Sequence, residues 1–268
     1  PRAGLPVRRS RRRLTDPPMT DLLSADSLLL AALFLVSAIL YGSVGHAGAS
    51  AYLAAMALTG VAPEVMKPTA LVLNIGVATI VTYRFWRAGF IRPVSLIPFL
   101  AGSVPAAFLG GALTLPGEVY RPLVGVVLLV AAARFGWTAA RTRDEFAPRT
   151  PMPAAVASGT GIGLLAGLTG TGGGIFLTPL LLAAGWAGTR FAAGTSAAFI
   201  LANSISGLAG NYASIGSLPP ALPLWLVAVA IGGVIGSELG SRRMPAPWVR
   251  RALAAVLLLA GLKLLLLP

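Results

Sequence analysis

The sequence predicts an all-helical protein that crosses a membrane several times. Of its 268 residues, 56% are hydrophobic and only 11% are charged, and the mean hydropathy is +0.82. A soluble domain carries about a quarter charged residues, so a water-soluble fold of this composition would lack the polar side chains that its surface needs. The hydrophobic residues also lie in long runs, several of them close to the roughly 20 residues that span the hydrocarbon core of a bilayer. These observations exclude a soluble enzyme, a disulfide-linked secreted scaffold and a disordered chain.

The first 26 residues precede the hydrophobic part, and we predict that they form a disordered basic leader. Residues 1–18 hold six arginines and one aspartate, which contribute +5 to the net charge of +13. Because Met19 stands directly before the hydrophobic part, we expect translation to start there; a basic anchor on anionic lipid is the alternative. The other basic residues lie mostly in short connections, where membrane topology explains them. The charge therefore does not indicate a nucleic-acid partner.

About eight hydrophobic segments follow, and a polar linker at 141–152 divides them into two sets of four. They span 27–59, 66–86, 93–115 and 119–140, then 153–185, 191–213, 219–240 and 247–267. The first segment of each set has 33 residues, too many for one straight span, and glycines interrupt both. This pattern predicts a duplication, with one membrane repeat at 27–140 and a second at 153–268.

Small residues recur at matching places in the two repeats. At an offset of 125 residues, Gly42, Gly45 and Gly48 fall on Gly167, Gly170 and Gly173. At an offset of 130 residues, Gly102, Ala106 and Gly110 fall on Gly232, Gly236 and Gly240. The residues matched at the offset of 130 stand at every fourth position, a spacing of small residues that lets two helix backbones pack closely in lipid.

The distribution of basic residues favours inverted repeats. If all eight segments crossed the membrane, the two faces would carry nearly equal numbers of basic residues, which is unusual for short loops. If the first segment of each repeat instead enters and leaves on one face, eleven basic residues lie inside and two, Lys67 and Arg121, lie outside. We therefore expect a multi-pass protein of the cell inner membrane with inverted repeats; parallel repeats are the alternative.

Two glycine-rich breaks are the candidate site. The first reads GSVGHAGAS over Gly42–Ser50, and the second reads GLTGTGGGIFLTP over Gly167–Pro179. Glycine runs are unfavourable in helices, and broken backbone at membrane depth is tolerated only in protein or beside a polar cavity. We expect helices to restart near Ala49 and Gly174, with unpaired N–H groups and positive dipole ends facing the breaks. Such backbone binds small anions; a tight helix crossing is the alternative.

The candidate substrate-binding residues are small, hydroxyl, amide and imidazole residues at the two breaks and on the second and sixth segments. At the breaks they are Ser43, Gly45, His46, Gly48 and Ser50, and then Gly170, Thr171, Gly172, Gly173 and Gly174. On the two segments they are Thr69, Asn74, Thr195, Ser196 and Asn203. Interhelical hydrogen bonding is the alternative role of both asparagines, and a packed polar residue is the alternative for His46.

Other chemistries lack the residues that they need. His46 is the only histidine and there is no cysteine, so we predict no metal site and no cofactor. The eight acidic residues all lie in tails, linkers or at segment ends, which disfavours a proton relay or a cation site at mid-depth. A Ser50–His46 dyad lacks the turn that presents a nucleophile. We therefore predict no catalytic residue and no enzyme.

The duplicated block of four segments, each opening with a glycine-rich break, resembles the TauE/SafE family of membrane permeases, also called the sulfite exporter family. The closest element is Gly167–Pro179, followed by Ala193-Gly194-Thr195-Ser196. It is similar to the family signature G-x-x-G-x-G-G-G-x-x-x-x-P and, counted from Ala192, to the later A-x-x-T-S. The likeness covers about 27–267. The first repeat departs from it, because His46 and Ala47 replace small residues, Ala49 replaces the third glycine and no proline follows.

The resemblance implies a permease for a small anion, with sulfite or an organosulfonate as the first candidates. One elementary charge is worth about 2.3 kcal/mol per 100 mV of membrane potential, so an inside-negative cell expels a monoanion without a coupled ion. Export therefore suits a chain without a buried proton relay. The alternatives are uptake of another sulfur oxyanion or a small organic acid, and a non-transporting membrane scaffold subunit. The expected partners are the anion and the lipid bilayer.

Overall fold

The computed structural model describes residues 24–43, 45–137, 150–242 and 247–266, and this part of the chain is helical without a strand. Six of its helices are long and apolar enough to cross a membrane, as the predicted fold class requires. A short 3-10 helix, Tyr212–Ser217, joins two of the ten α-helices. The α-helices are α1 (Ala25–Gly42), α2 (Ala49–Thr59), α3 (Pro63–Arg87), α4 (Pro93–Ala112), α5 (Gly117–Trp137), α6 (Met152–Thr169), α7 (Gly174–Ala183), α8 (Thr189–Gly210), α9 (Leu222–Arg242) and α10 (Pro247–Leu266).

The first and fifth hydrophobic segments each divide into two helices at the glycine-rich break. The second helix begins at Ala49 in one case and at Gly174 in the other, which confirms both predicted restarts. The residues before these helices, Gly48 and Gly173, have φ values of 99° and 83°, a region that costs other L-residues roughly 1–2 kcal/mol. The rings of Phe34 and Tyr52 lie 5.2 Å apart, so α2 folds back beside α1.

The rows of small residues bring helix backbones into contact, as predicted. A Cβ atom on Gly102 of α4 would lie 2.3 Å from the carbonyl oxygen of Val156 on α6. A Cβ atom on Gly236 of α9 would lie 2.3 Å from the carbonyl oxygen of Ile39 on α1. Only glycine permits these two close approaches, and they hold α4 on α6 and α9 on α1.

The directions of the packed helices can be followed through the same contacts. Along α4 and α6 the contacts advance together, from Phe99 against Gly159 to Ser103 against Gly163, so these two helices are parallel. The helices α3 and α8 are antiparallel, because Asn74 meets Ser204 while the earlier Leu71 meets the later Gly207.

The remaining helix pairs follow the same scheme. Gly232 and Gly236 of α9 meet Leu35 and Ile39 of α1 in parallel, whereas Gly125 of α5 meets Leu265 of α10, and Gly261 meets Leu129, in antiparallel order. Inverted repeats require counterpart helices such as α3 and α8, or α5 and α10, to run in opposite directions. The observed directions have this property, and the duplication itself stays a prediction.

The boundaries of several predicted segments shift by a few residues. Ser24 caps α1 by accepting a hydrogen bond from the amide of Ser27, so α1 takes the last two residues of the predicted leader. The helix α6 begins at Met152, the last residue of the predicted linker. The rest of the leader, with Met19, and the linker residues up to 149 lie outside the described residues.

Two charged residues have environments that the sequence did not indicate. Lys67, which the charge distribution counts on the outer face, lies in α3; this helix already begins at Pro63, since proline is well suited to a first helical turn, and the lysine is buried at 7% exposure. The carboxylate of Glu238 forms an ion pair with Arg84 of α3. That pair joins the ends of α3 and α9.

Candidate functional site

Each glycine-rich break contains buried backbone N–H groups that bond to no atom of the described residues. The amides of Gly172, Gly173, Gly174 and Ile175 bond to no atom of the described residues, and the next bonds, from Phe176 and Leu177, return to the carbonyl of Gly173. All four residues are buried. The N-terminus of a helix carries a partial positive charge together with such free donors, so the start of α7 is suited to an anion.

The first break has the same bonding pattern. The amides of Ala51 and Tyr52 both bond to the carbonyl of Gly48, whereas those of Ala49 and Ser50 bond to no described atom. These residues are also buried. Two helix N-termini with free donors therefore lie inside the protein rather than at its surface.

The two breaks meet through His46. Its Nε2 atom lies 3.2 Å from the carbonyl oxygen of Gly174 and 3.2 Å from Oγ1 of Thr178 on α7. Thr178 in turn donates to Oγ of Ser196 on α8 at 2.6 Å. Since a hydroxyl group has one hydrogen and Thr178 donates it to Ser196, the single hydrogen of Nε2 is shared between Thr178 and the carbonyl oxygen of Gly174. This chain of hydrogen bonds leaves the hydrogen of Ser196 available to a ligand.

Asn74 of α3 and Ser204 of α8 lie against the second break. Nδ2 of Asn74 donates to Oγ of Ser204 at 3.3 Å, and a Cβ atom on Gly172 would lie 2.8 Å from the same Nδ2. Asn203 instead donates to the carbonyl of Phe199 in its own helix. Oγ1 of Thr69 and the Oδ1 atoms of both asparagines are buried without a partner among the described residues. The two asparagines do not bond to each other.

The two predicted serines of the first break form hydrogen bonds within their own segment. Ser43 donates to the carbonyl of Leu40 at 2.7 Å, and Ser50 shares a 2.8 Å hydrogen bond with Tyr41. Their hydroxyl groups are therefore engaged in holding the break, although the backbone amide of Ser50 is free. Gly45, with a φ of 78°, packs against Ala193 of α8.

A further polar cluster lies at the beginning of the second break. Thr171 shares a 2.9 Å hydrogen bond with Thr169, and the hydroxyl of Tyr120 on α5 donates to the carbonyl of Thr169 at 3.0 Å. Gly170 packs against the backbone of Lys67. Thr195, in the second turn of α8, is buried at 5% exposure and has no hydrogen bond to another described side chain.

The described residues contain no group of three histidine, cysteine, aspartate or glutamate side chains that could hold a metal ion. Their acidic residues, Asp26, Glu64, Glu118 and Glu238, lie near helix ends. No described carboxylate therefore offsets the positive helix ends at the breaks.

Comparison with known proteins identifies the family. The family profile "Sulfite exporter TauE/SafE" matches residues 29–264. The chain belongs to the TauE/SafE family. It is 43% identical over 246 residues to "Probable membrane transporter protein y4hK" of Sinorhizobium fredii (strain NBRC 101917 / NGR234), covering 91% of this chain and 100% of that protein. No solved structure shows a significant match.

Membership of the TauE/SafE family agrees with the predicted resemblance, and with a multi-pass transport protein rather than an enzyme. In this TauE/SafE protein, three residues at the site were not among the predicted site residues, namely Thr178, Lys67 and Ser204. Thr178 stands four residues after Gly174, which places its hydroxyl one helical turn above the restart. Lys67 is a lone basic residue beside a hydrophobic segment, and nothing in the sequence near Ser204 indicates that it contacts Asn74.

Proposed function

We propose that this TauE/SafE protein is a permease that moves a small anion across the inner membrane, with sulfite or an organosulfonate as the substrate and export as the direction. The observation that supports it best is the meeting of two buried helix N-termini through His46 and Thr178. Free amides and positive dipole ends that converge inside a membrane protein favour a negatively charged ligand. The predicted site residues are proposed to surround that ligand.

The chemistry of the side chains favours a sulfonate or a related oxyanion. The amides of Gly172–Ile175, together with the hydroxyl groups of Thr69 and Ser196, can donate hydrogen bonds to anionic oxygen atoms. The unpaired Oδ1 atoms of Asn74 and Asn203 can accept from a protonated group at the other end of an organic ligand. An organosulfonate with a hydroxyl or amino tail offers both kinds of partner.

Export follows from the charge of the proposed substrate. A monoanion gains about 2.3 kcal/mol per 100 mV when it leaves an inside-negative cell, and this gradient needs no coupled ion. The described acidic residues lie near helix ends, where they would not relay protons through the middle of the protein. Uptake of another sulfur oxyanion or a small organic acid is the second candidate, and it would need a coupling ion.

The test is charge movement in proteoliposomes that contain the purified protein. The anions are sulfite, sulfate, thiosulfate, isethionate, sulfoacetate and chloride. We expect a current with sulfite or a sulfonate, and Ser196→Ala to reduce it at least about fivefold, because a hydrogen bond to a charged group contributes about 1.5–3 kcal/mol. Ser158→Ala is the matched control, since Ser158 bonds only to carbonyls in its own helix.

The possible results separate the alternatives. A current that Ser196→Ala and Ser158→Ala leave equally strong would contradict the proposed site while preserving the transport function. If no anion gives a current, counterflow of labelled substrate distinguishes an electroneutral exchanger from a protein that moves none of these anions. A protein that moves none of these anions, by either measurement, would favour the non-transporting scaffold and reject the proposal.

A further inference from the structure

Lys67 is a buried cation beside the second break. It lies in the first turns of α3, and its side chain is among the buried polar groups, with 7% of the residue exposed. A Cβ atom on Gly170 would lie 3.1 Å from the carbonyl oxygen of Lys67 and 3.5 Å from its Cγ. The stem of the lysine thus packs directly against the break.

The ammonium group has a full set of neutral acceptors. Nζ donates to the carbonyl oxygens of Gly110, Gly111 and Leu113, at 3.2, 2.9 and 3.0 Å. The first two are among the last carbonyls of α4 and Leu113 directly follows its end; a helix cannot bond its last carbonyls internally, and lysines often donate to them. The three bonds therefore satisfy the hydrogen atoms of Lys67 and the free carbonyls at the end of α4.

What the site lacks is a full negative charge. Among the described residues the one ion pair joins Arg84 and Glu238, and these lie at the other end of α3. The carbonyls supply only the partial charge of a helix C-terminus, about half an elementary charge. A buried charge without a counter-ion is costly in a membrane, and a transported anion would compensate it.

The first break makes the corresponding contact without a charge. Gly45 packs against Ala193 of α8, as Gly170 packs against Lys67 of α3. A small apolar residue therefore meets the packing requirement of such a contact. Packing alone does not account for a lysine at the second break.

We propose that Lys67 is the fixed positive charge of the permeation pathway and sets its selectivity between singly and doubly charged anions. This inference rests on the proposed anion transport and specifies the substrate class further. Lys67 acts on the anion through its electric field, whereas the amides and hydroxyl groups of the breaks make the direct contacts.

The proposal predicts a dependence on the charge of the ligand. The electrostatic energy between Lys67 and an anion is proportional to the charge of the anion. Loss of the lysine charge therefore weakens binding of a dianion more than that of a monoanion, and with equal distances the fold-change for the dianion is the square of that for the monoanion. If Lys67 only caps α4, its loss changes both affinities by the same factor.

The experiment compares isethionate, a monoanion, with sulfoacetate, a dianion that has the same sulfonate group. Half-saturating concentrations are measured by counterflow in proteoliposomes for the wild type, Lys67→Gln and Lys67→Arg. If the half-saturating concentration of isethionate rises about tenfold in Lys67→Gln, we expect that of sulfoacetate to rise about a hundredfold. We expect Lys67→Arg to retain the wild-type ratio, because it retains the charge.

Lys263→Gln is the matched control. Lys263 also donates to a carbonyl at a helix end, that of Leu58 on α2, at 2.8 Å, but it lies outside the breaks. We expect this variant to leave both half-saturating concentrations unchanged. If Lys67→Gln does not fold, Lys67→Met, which keeps an unbranched stem of similar length, is measured in its place.

Equal fold-changes for the two anions in the neutral variant would overturn the role of Lys67 and leave anion transport intact. A wild-type protein that moves neither these two anions nor the other anions tested would overturn the proposed function and this inference with it. A selective loss for sulfoacetate that Lys67→Arg restores would support both.

Discussion

Nε2 of His46 lies 3.2 Å from Oγ1 of Thr178. The one histidine of the chain, which belongs to the first break, therefore contacts α7, the helix that begins after the second break. The two residues are separated by 132 positions in the sequence. Thr178 donates a hydrogen bond to Ser196. A substitution at His46 is therefore expected to alter the position of the Ser196 hydroxyl group on α8. We therefore expect the relative position of the two breaks to depend on this buried contact.

Replacement of His46 tests that dependence. We expect His46→Ala to lower the free energy of unfolding by about 1 kcal/mol, the typical contribution of one hydrogen bond, and to reduce transport more strongly than this modest loss of stability explains. His46→Gln keeps an amide donor and is expected to retain part of the activity. The measurements are counterflow rates and thermal unfolding of the same purified samples. Wild-type counterflow in His46→Ala would contradict a role for the contact in transport.

Thr69 offers a test in which stability and transport change in opposite directions. Its hydroxyl group is fully buried without a partner among the described residues. An unpaired buried hydroxyl costs about 1–3 kcal/mol, so Thr69→Val is expected to leave the protein equally or more stable. If the hydroxyl binds the anion, the same variant loses transport, by about fivefold or more.

The matched control for this change is Thr79→Val in the same helix. Thr79 is exposed on α3 and donates to the carbonyl of Ile75, one turn earlier. We expect it to change neither the unfolding temperature nor the rate of counterflow. If Thr69→Val and Thr79→Val both transport at the wild-type rate, Thr69 has no part in the site.

The glycine patterns show how far the sequence alone could lead. A glycine run affects the backbone at its own position, so the restarts at Ala49 and Gly174 were predictable to the residue. Close approaches such as Gly102 against Val156 were predictable as a type, because only small residues permit them. The partner helix was not predictable, since it depends on how distant segments pack.

The environment of individual polar residues was beyond the sequence for the same reason. Lys67 is counted on the outer face because basic residues usually lie outside the hydrocarbon, and only the end of α4 brings three carbonyls to its ammonium group. Ser43 and Ser50 read as ligand donors, but nearby partners occupy their hydroxyl groups. Such competition between local and distant partners is a property of the packed structure.

Two glycines of α6 allow the effect of helix packing on stability to be measured apart from the intrinsic helix preference of alanine. A Cβ atom on Gly163 would lie 2.4 Å from the carbonyl oxygen of Ser103, whereas one on Gly161 would meet nothing within 4 Å. We expect Gly163→Ala to destabilise the protein by about 1–3 kcal/mol, as overpacking does. Gly161→Ala is expected to be neutral or stabilising by up to about 1 kcal/mol, since alanine favours the helix. Thermal unfolding in detergent compares them, and equal unfolding temperatures would contradict the close packing of α4 and α6.

The ends of α3 allow the topology to be tested. This helix has 25 residues, a length of about 37 Å at 1.5 Å per residue, which exceeds the roughly 30 Å of the hydrocarbon core. Its first turns contact Leu113 and Ser217, through Lys67 and Glu64. Residues near 113 and 217 therefore share one face, and Ala88, directly after α3, lies at the other.

Cysteine labelling measures this arrangement, because the chain has no natural cysteine. Thr114, Gly216 and Ala88 are exposed positions. We expect Thr114→Cys and Gly216→Cys to react with an impermeant maleimide from outside intact cells, and Ala88→Cys to react only after the cells are opened. The basic residues near Ala88, namely Arg84, Arg87 and Arg92, place that end at the cytoplasmic face by the positive-inside rule. Labelling of all three positions from one face would show that α3 does not cross the membrane and would exclude the inverted arrangement.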